Sequence, residues 1–131
     1  MFDWKKPTVE MLGRWQPWHD GHTELFRRAL QKTGQVCIMY RDVAGVDAGV
    51  EGQADNPFYF EEVKKNIIKN LSKHGYQEGK DYIVIKVPNI IDVSYGRGVG
   101  YSFTEHDLGE EIHSISATTI RNKMRIKGDL K

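Results

Sequence analysis

The chain has one cysteine, four prolines and no long apolar run among its 131 residues, and each scarcity rules something out. The lone Cys37 cannot close an internal disulfide, and its VCIMY setting reads as a buried strand rather than a reactive thiol. The opening MFDWKKPTVE has neither the apolar core of a signal peptide nor the length to span a bilayer, so a cytosolic protein without a membrane partner is expected. Nor is there an excess of charge: 19 basic against 18 acidic side chains leave +1, without the electrostatic footprint of a nucleic-acid binder. Internal repeats and low-complexity stretches are lacking too. The length suits a single domain over residues 1–131 with one modest core, so any second binding surface must come from loops or another subunit.

What is present alternates between two periodicities. Thr8 to Leu12 is short, apolar and β-prone, and Gly13 follows at once, as at the end of a buried strand. From Gly21 to Lys32, Leu25, Phe26, Ala29 and Leu30 recur at helical spacing, with Gly34 as the stop. Gln35 to Tyr40 reads as a second buried strand, and Ala44 to Asn56 as a loop without apolar period. After the Asn56-Pro57 turn, Val63, Ile67, Ile68 and Leu71 trace one face of a second helix, and Tyr82 to Val87 makes a third strand. Asn89 to Tyr95 is a candidate fourth strand running into the glycine-rich YGRGVGY, and Ser102 to Ser114 is too polar to assign. Ser116 stands at an N-cap position before a helix expected over Ala117 to Lys127, which Gly128 would end. Strand alternating with helix implies an α/β domain with a mainly parallel sheet and right-handed crossovers, a Rossmann-like three-layer α/β/α arrangement.

In such a sheet, ligands settle beyond the carboxyl ends of the strands, and the loop after the first strand commonly receives phosphate. Here that loop is GRWQPWHDGH. Gly13 and Gly21 allow close backbone approach, Arg14 is a permanent cation, and His19 and His22 can donate toward phosphate oxygens. A helix starting near His22 would add unpaired amides and a positive dipole end. As a zinc site the two histidines are a poor signature, because no paired cysteines or second histidine pair completes four ligands. Toward the other end, Ser116 and Thr118 at a helix start offer hydroxyls beside free amides, with Arg121 one turn further on. YGRGVGY lacks the first strand and following helix of a dinucleotide fingerprint and reads as a loop, although its place after a late strand makes Gly96 and Arg97 candidates for the cleft.

GRWQPWHDGH resembles the GRFQPFHxGH signature of the HxGH nucleotidyltransferase superfamily, especially the archaeal-type nicotinamide mononucleotide adenylyltransferases, and Ile115 to Arg121, ISATTIR, resembles its ISxTxIR motif. Asn56-Pro57-Phe58 and the strand YIVIKVPN are similar to further segments of that branch. The resemblance implies transfer of a nucleotidyl group from ATP or CTP, accompanied by Mg²⁺, to a phosphorylated small-molecule acceptor with release of pyrophosphate. It implies His19, His22 and Arg121 as catalytic groups. Gly13, Arg14, Trp15, Gly21, Arg41, Gly96, Arg97, Ile115, Ser116 and Thr118 would bind the nucleotide. Related enzymes are commonly oligomeric, so self-association is a further expectation. Two departures bear on the substrate. Val63 follows Glu61-Glu62 where the branch has a helical arginine, and the stretch between Asn89 and Ser114 is too short for the segment that helps hold the nicotinamide end. In length the chain is closer to glycerol-3-phosphate cytidylyltransferases, while GRWQPW is more like the adenylyl branch. Two other readings compete: a nucleotide-binding regulatory module without turnover, and an interaction domain in which the histidines do nothing special.

Overall fold

A computed structural model describes residues 1–43, 57–98 and 100–106. The elements run β1 (Val9–Gly13), α1 (Asp20–Thr33), β2 (Val36–Arg41), α2 (Phe60–Ser72) and β3 (Tyr82–Val87). The three strands are parallel in the order β1-β2-β3, with Met11 beside Ile38 and Ile38 beside Val84. This is the expected α/β class, and β3 has the bounds read from the sequence.

Register and pleat sort the side chains. Val36, Ile38, Tyr40 and Tyr82 are fully buried on one face, with Met11 and Val84 beside them at 5% exposure. Phe26 and Ala29 of α1 and Val63, Ile67 and Leu71 of α2 join those residues in one cluster. Both helices therefore cover the same face, as two successive right-handed crossovers in one direction require. Phe26 is central to this layer, meeting Tyr76 and Tyr82 edge-on with ring centroids 5.0 and 5.6 Å away. Deleting its ring would cost about 3–5 kcal/mol.

The helix ends follow local chemistry. α1 stops where Gly34 turns left-handed at φ 83° and its N–H donates to the Leu30 carbonyl at 2.7 Å. α2 begins without a side-chain cap at Tyr59, and Glu61 and Glu62 in its first turn complement the positive helix end.

The fourth strand expected over Asn89 to Tyr95 does not form. Pro88 brings no N–H to a ladder, the Ile90 N–H turns back to the Pro88 carbonyl, and the Ser94 hydroxyl donates to Asp92. Ile91 and Val93 are left exposed. The YGRGVGY stretch, in its described residues, is neither strand nor helix. The loop expected over Ala44 to Asn56 and the helix expected over Ala117 to Lys127 lie outside the described residues, as does all of the Ser102 to Ser114 stretch beyond residue 106.

Candidate functional site

The loop from Gly13 to Trp18 leaves the carboxyl end of β1 and is held by its aromatic residues. Trp15 adopts a left-handed backbone at φ 51°, and its indole N–H donates to the Met39 carbonyl at 3.1 Å. Left-handed backbone is uncommon for a bulky residue and costs on the order of 1–3 kcal/mol, so the packing around it must impose it. Gly13 is part of that packing: a Cβ there would lie 2.8 Å from two carbons of the Trp15 ring. The glycine thus makes room for an indole, where the sequence suggested room for a ligand. The Trp18 indole N–H donates to Thr23 Oγ1 at 2.9 Å, tying the loop to the first turn of α1.

The histidines begin α1. His19 is the N-cap, with Nδ1 accepting from the Gly21 N–H at 3.0 Å, and Nδ1 of His22 accepts from the His19 N–H at 3.1 Å. The two imidazoles form a reciprocal capping box, with rings in the places usually taken by a hydroxyl and a carboxylate. A ring nitrogen that accepts an amide proton has its lone pair there, so each neutral ring carries its own proton on Nε2. The pair therefore presents two N–H donors. The rings stack at 3.7 Å and 23°, and the His22 ring also meets Trp15 at 4.8 Å and Trp18 at 5.4 Å.

Charge is disfavoured here. Burial pushes the His22 pKa down to about 3, with His19 adding to the shift, and burial lowers His19 against the opposing pull of Asp20. Three of the backbone amides expected to meet an anion are spent internally. Gly21 donates to the His19 ring, and His22 and Thr23 donate to the His19 carbonyl. Donors to an anion at this helix start would then come mainly from side-chain N–H groups.

Two cavities flank Trp15. One of about 380 Å³ has Trp18, Phe58, Glu62, Asn66 and Asn70 among its walls and no cation among the described residues that line it. The other, about 320 Å³, is lined by Gly13, Arg14, Trp15 and His22, with Leu12, Gln16 and Leu25. Its arginine and imidazole make the second cavity the better match for phosphate. Gly13, Arg14, Trp15, His19, Gly21 and His22 are thus gathered in one place. Arg41 ends β2 at the same carboxyl edge, and its buried Nε has no hydrogen-bond partner among the described residues. Gly96 and Arg97 lie exposed on the segment after β3, and among the described residues no hydrogen bond or ring contact joins them to the histidines. Thr104 of that segment accepts from Lys32 near the far end of α1. Ile115, Ser116, Thr118 and Arg121 lie outside the described residues.

Sequence reasoning did not single out Gln16. Its side chain is 1% exposed and bonds both backbone groups of Phe58, accepting from the N–H and donating to the carbonyl at 2.9 Å each. A lone amide between Trp15 and Pro17 in an otherwise aromatic loop was the available signal.

Among curated proteins, the nicotinamide-nucleotide adenylyltransferase of Methanococcus aeolicus is 30% identical over 81 residues, covering 61% of this chain and 41% of that protein. The similarity is to a nucleotidyltransferase. The chain spans about two fifths of that relative's length, so the match supports a nucleotidyltransferase type without naming a donor or acceptor. No known family profile and no solved structure matches the chain. Among the described residues, no helix is long and apolar enough to cross a membrane.

Proposed function

We propose that this protein transfers a nucleotidyl group, AMP in preference to CMP, from a nucleoside triphosphate to the phosphate of a small acceptor, releasing pyrophosphate. The observation that carries the reading is the reciprocal imidazole cap, which fixes both rings as Nε2–H donors beside a cavity that also holds Arg14. Donors fixed before the ligand arrives need no reorganisation as charge develops on a phosphate, which is where electrostatic catalysis is strongest.

The acceptor phosphate is ionised at neutral pH, so in-line attack on the α-phosphorus needs no general base. As the new P–O bond forms and the bond to pyrophosphate breaks, His19 and His22 donate to oxygens of the α-phosphate. Arg14 meets the triphosphate, and Arg41, whose Nε has no partner among the described residues, meets triphosphate or acceptor phosphate. Arg121, Ser116 and Thr118 hold the departing pyrophosphate. Mg²⁺ enters as part of the substrate, carried on the triphosphate oxygens. Both Nδ1 atoms are occupied by amide protons, so the rings suit donation to phosphate better than ligation of a cation.

The test is pyrophosphate release from ATP, CTP, GTP and UTP, each against nicotinamide mononucleotide, phosphopantetheine, glycerol 3-phosphate, phosphocholine and sugar phosphates. Nicotinamide mononucleotide comes first because of the relative's name. Release above background from ATP with one acceptor, lowered on the order of a hundredfold or more in His19→Ala, is expected. Tight nucleotide binding without release from any pair would reject catalysis.

A further inference from the structure

We infer that Gln16 is a positioning residue that couples Phe58, just ahead of α2, to the two imidazoles. This rests on the reading of His19 and His22 as phosphate donors.

The carboxamide of Gln16 grips Phe58 as one strand grips another, one N–H and one carbonyl at 2.9 Å each. The Tyr40 hydroxyl reaches the same Phe58 carbonyl at 3.4 Å. Phe58 stands two residues ahead of α2, so the grip ties the approach to that helix to the histidine loop. On the other side Gln16 is two residues from Trp18, which is pinned by Thr23 and whose carbonyl accepts from Asn66 of α2 at 3.5 Å. His19 comes next and opens the imidazole box. A shift of Phe58 therefore passes through Gln16 and Trp18 to the ring that caps α1. Gln16 also lines the cavity that holds Arg14 and His22.

A buried amide that only filled space could be replaced by an apolar side chain of like volume. Here its loss would strand two backbone groups and leave the loop joined to Phe58 by packing alone. Misplacing reacting groups by about 1 Å can cost on the order of a hundredfold in rate.

The discriminating variant is Gln16→Glu. It keeps an acceptor for the Phe58 N–H but sets a carboxylate oxygen against the Phe58 carbonyl, and protonation of the introduced carboxyl would restore a donor. Among the described residues, the titratable and charged groups nearby are Arg14 and His22 in the same cavity, Tyr40, and Asp42 at 3.5 Å from the Tyr40 hydroxyl. Burial keeps His22 neutral across the window used.

In full-length protein at pH 8, Gln16→Glu should lower kcat by on the order of a hundredfold with KM for the nucleotide little changed, and lowering the pH to 5.5 should recover much of that loss. Gln16→Ala should show the same loss at both pH values. Nitrogen-15 spectra of the imidazoles give a readout that needs no turnover. The His19 and His22 ring signals should move in Gln16→Glu at pH 8 and return at pH 5.5. If Phe58 amide exchange accelerates while the ring signals and kcat stay as in the wild type, Gln16 is merely structural and the inference falls. If no nucleoside triphosphate is turned over yet the ring signals follow the introduced carboxyl, the coupling stands and the nucleotidyl-transfer reading falls instead.

Discussion

Lowering the pH should destabilise this protein through His22, and the size of the effect follows from where the ring sits. In the unfolded chain His22 titrates near 6.5, whereas in the folded protein burial holds it at about 3. The unfolded state therefore binds more protons across that interval, and stability falls as pH falls. At pH 5 the unfolded ring is almost wholly charged and the folded ring almost wholly neutral. The penalty relative to pH 7 is then about 2 kcal/mol, a sizeable part of the roughly 5–15 kcal/mol that holds a domain folded. Urea unfolding at pH 7 and pH 5 measures it, compared with His22→Gln. Glutamine at this position can still accept the His19 N–H, as in an ordinary capping box, but it does not titrate. The lowered pKa of His19 acts in the same direction and is common to both proteins. Wild type should lose about 2 kcal/mol more than His22→Gln between the two pH values. Equal losses would show that the ring is not held neutral by its surroundings, and the fixed-donor argument would fail with it.

Other outcomes are equally direct. His19→Ala should lower turnover on the order of a hundredfold or more, the scale of one preorganised donor to a transition-state oxyanion; unchanged pyrophosphate release would reject the assignment. Gly13→Ala should destabilise by about 1–3 kcal/mol, because the new methyl meets the Trp15 ring at 2.8 Å, and a thermal melt matching wild type would mean that the indole moves freely. Gly34→Ala should cost about 1 kcal/mol from the left-handed φ of 83° alone, read as a lower urea midpoint with unchanged slope. Saturating ATP at a hundred times its dissociation constant should add roughly 2.7 kcal/mol of stability, and a melt unmoved by any nucleoside triphosphate would favour the interaction-domain reading.

The sheet and the first helix were legible because their signals are local and redundant. Val36, Ile38 and Tyr40 alternate as one strand face must, and Phe26 and Ala29 keep helical spacing up to a glycine stop. Asn89 to Tyr95 misled because apolar content looked like a strand, while Pro88 and the Asp92-Ser94 pair gave the backbone local partners instead of a neighbour. At the site, residue types were readable and their employment was not. Nothing in HDGH says that the first amides would be consumed by the His19 ring and carbonyl, or that Gly13 answers to Trp15. Those facts depend on a loop conformation set by Gln16 meeting Phe58, 42 positions later.

The two indoles pressed against His22 also make the protein its own spectrometer. Trp15 and Trp18 are almost wholly enclosed, whereas Trp4 is 76% exposed, so blue-shifted emission belongs to the cleft and red-shifted emission to the surface. A polyphosphate settling in the cavity beside Trp15 would alter the surroundings of the buried indoles and not those of Trp4, so its arrival could be followed in the blue component without any label.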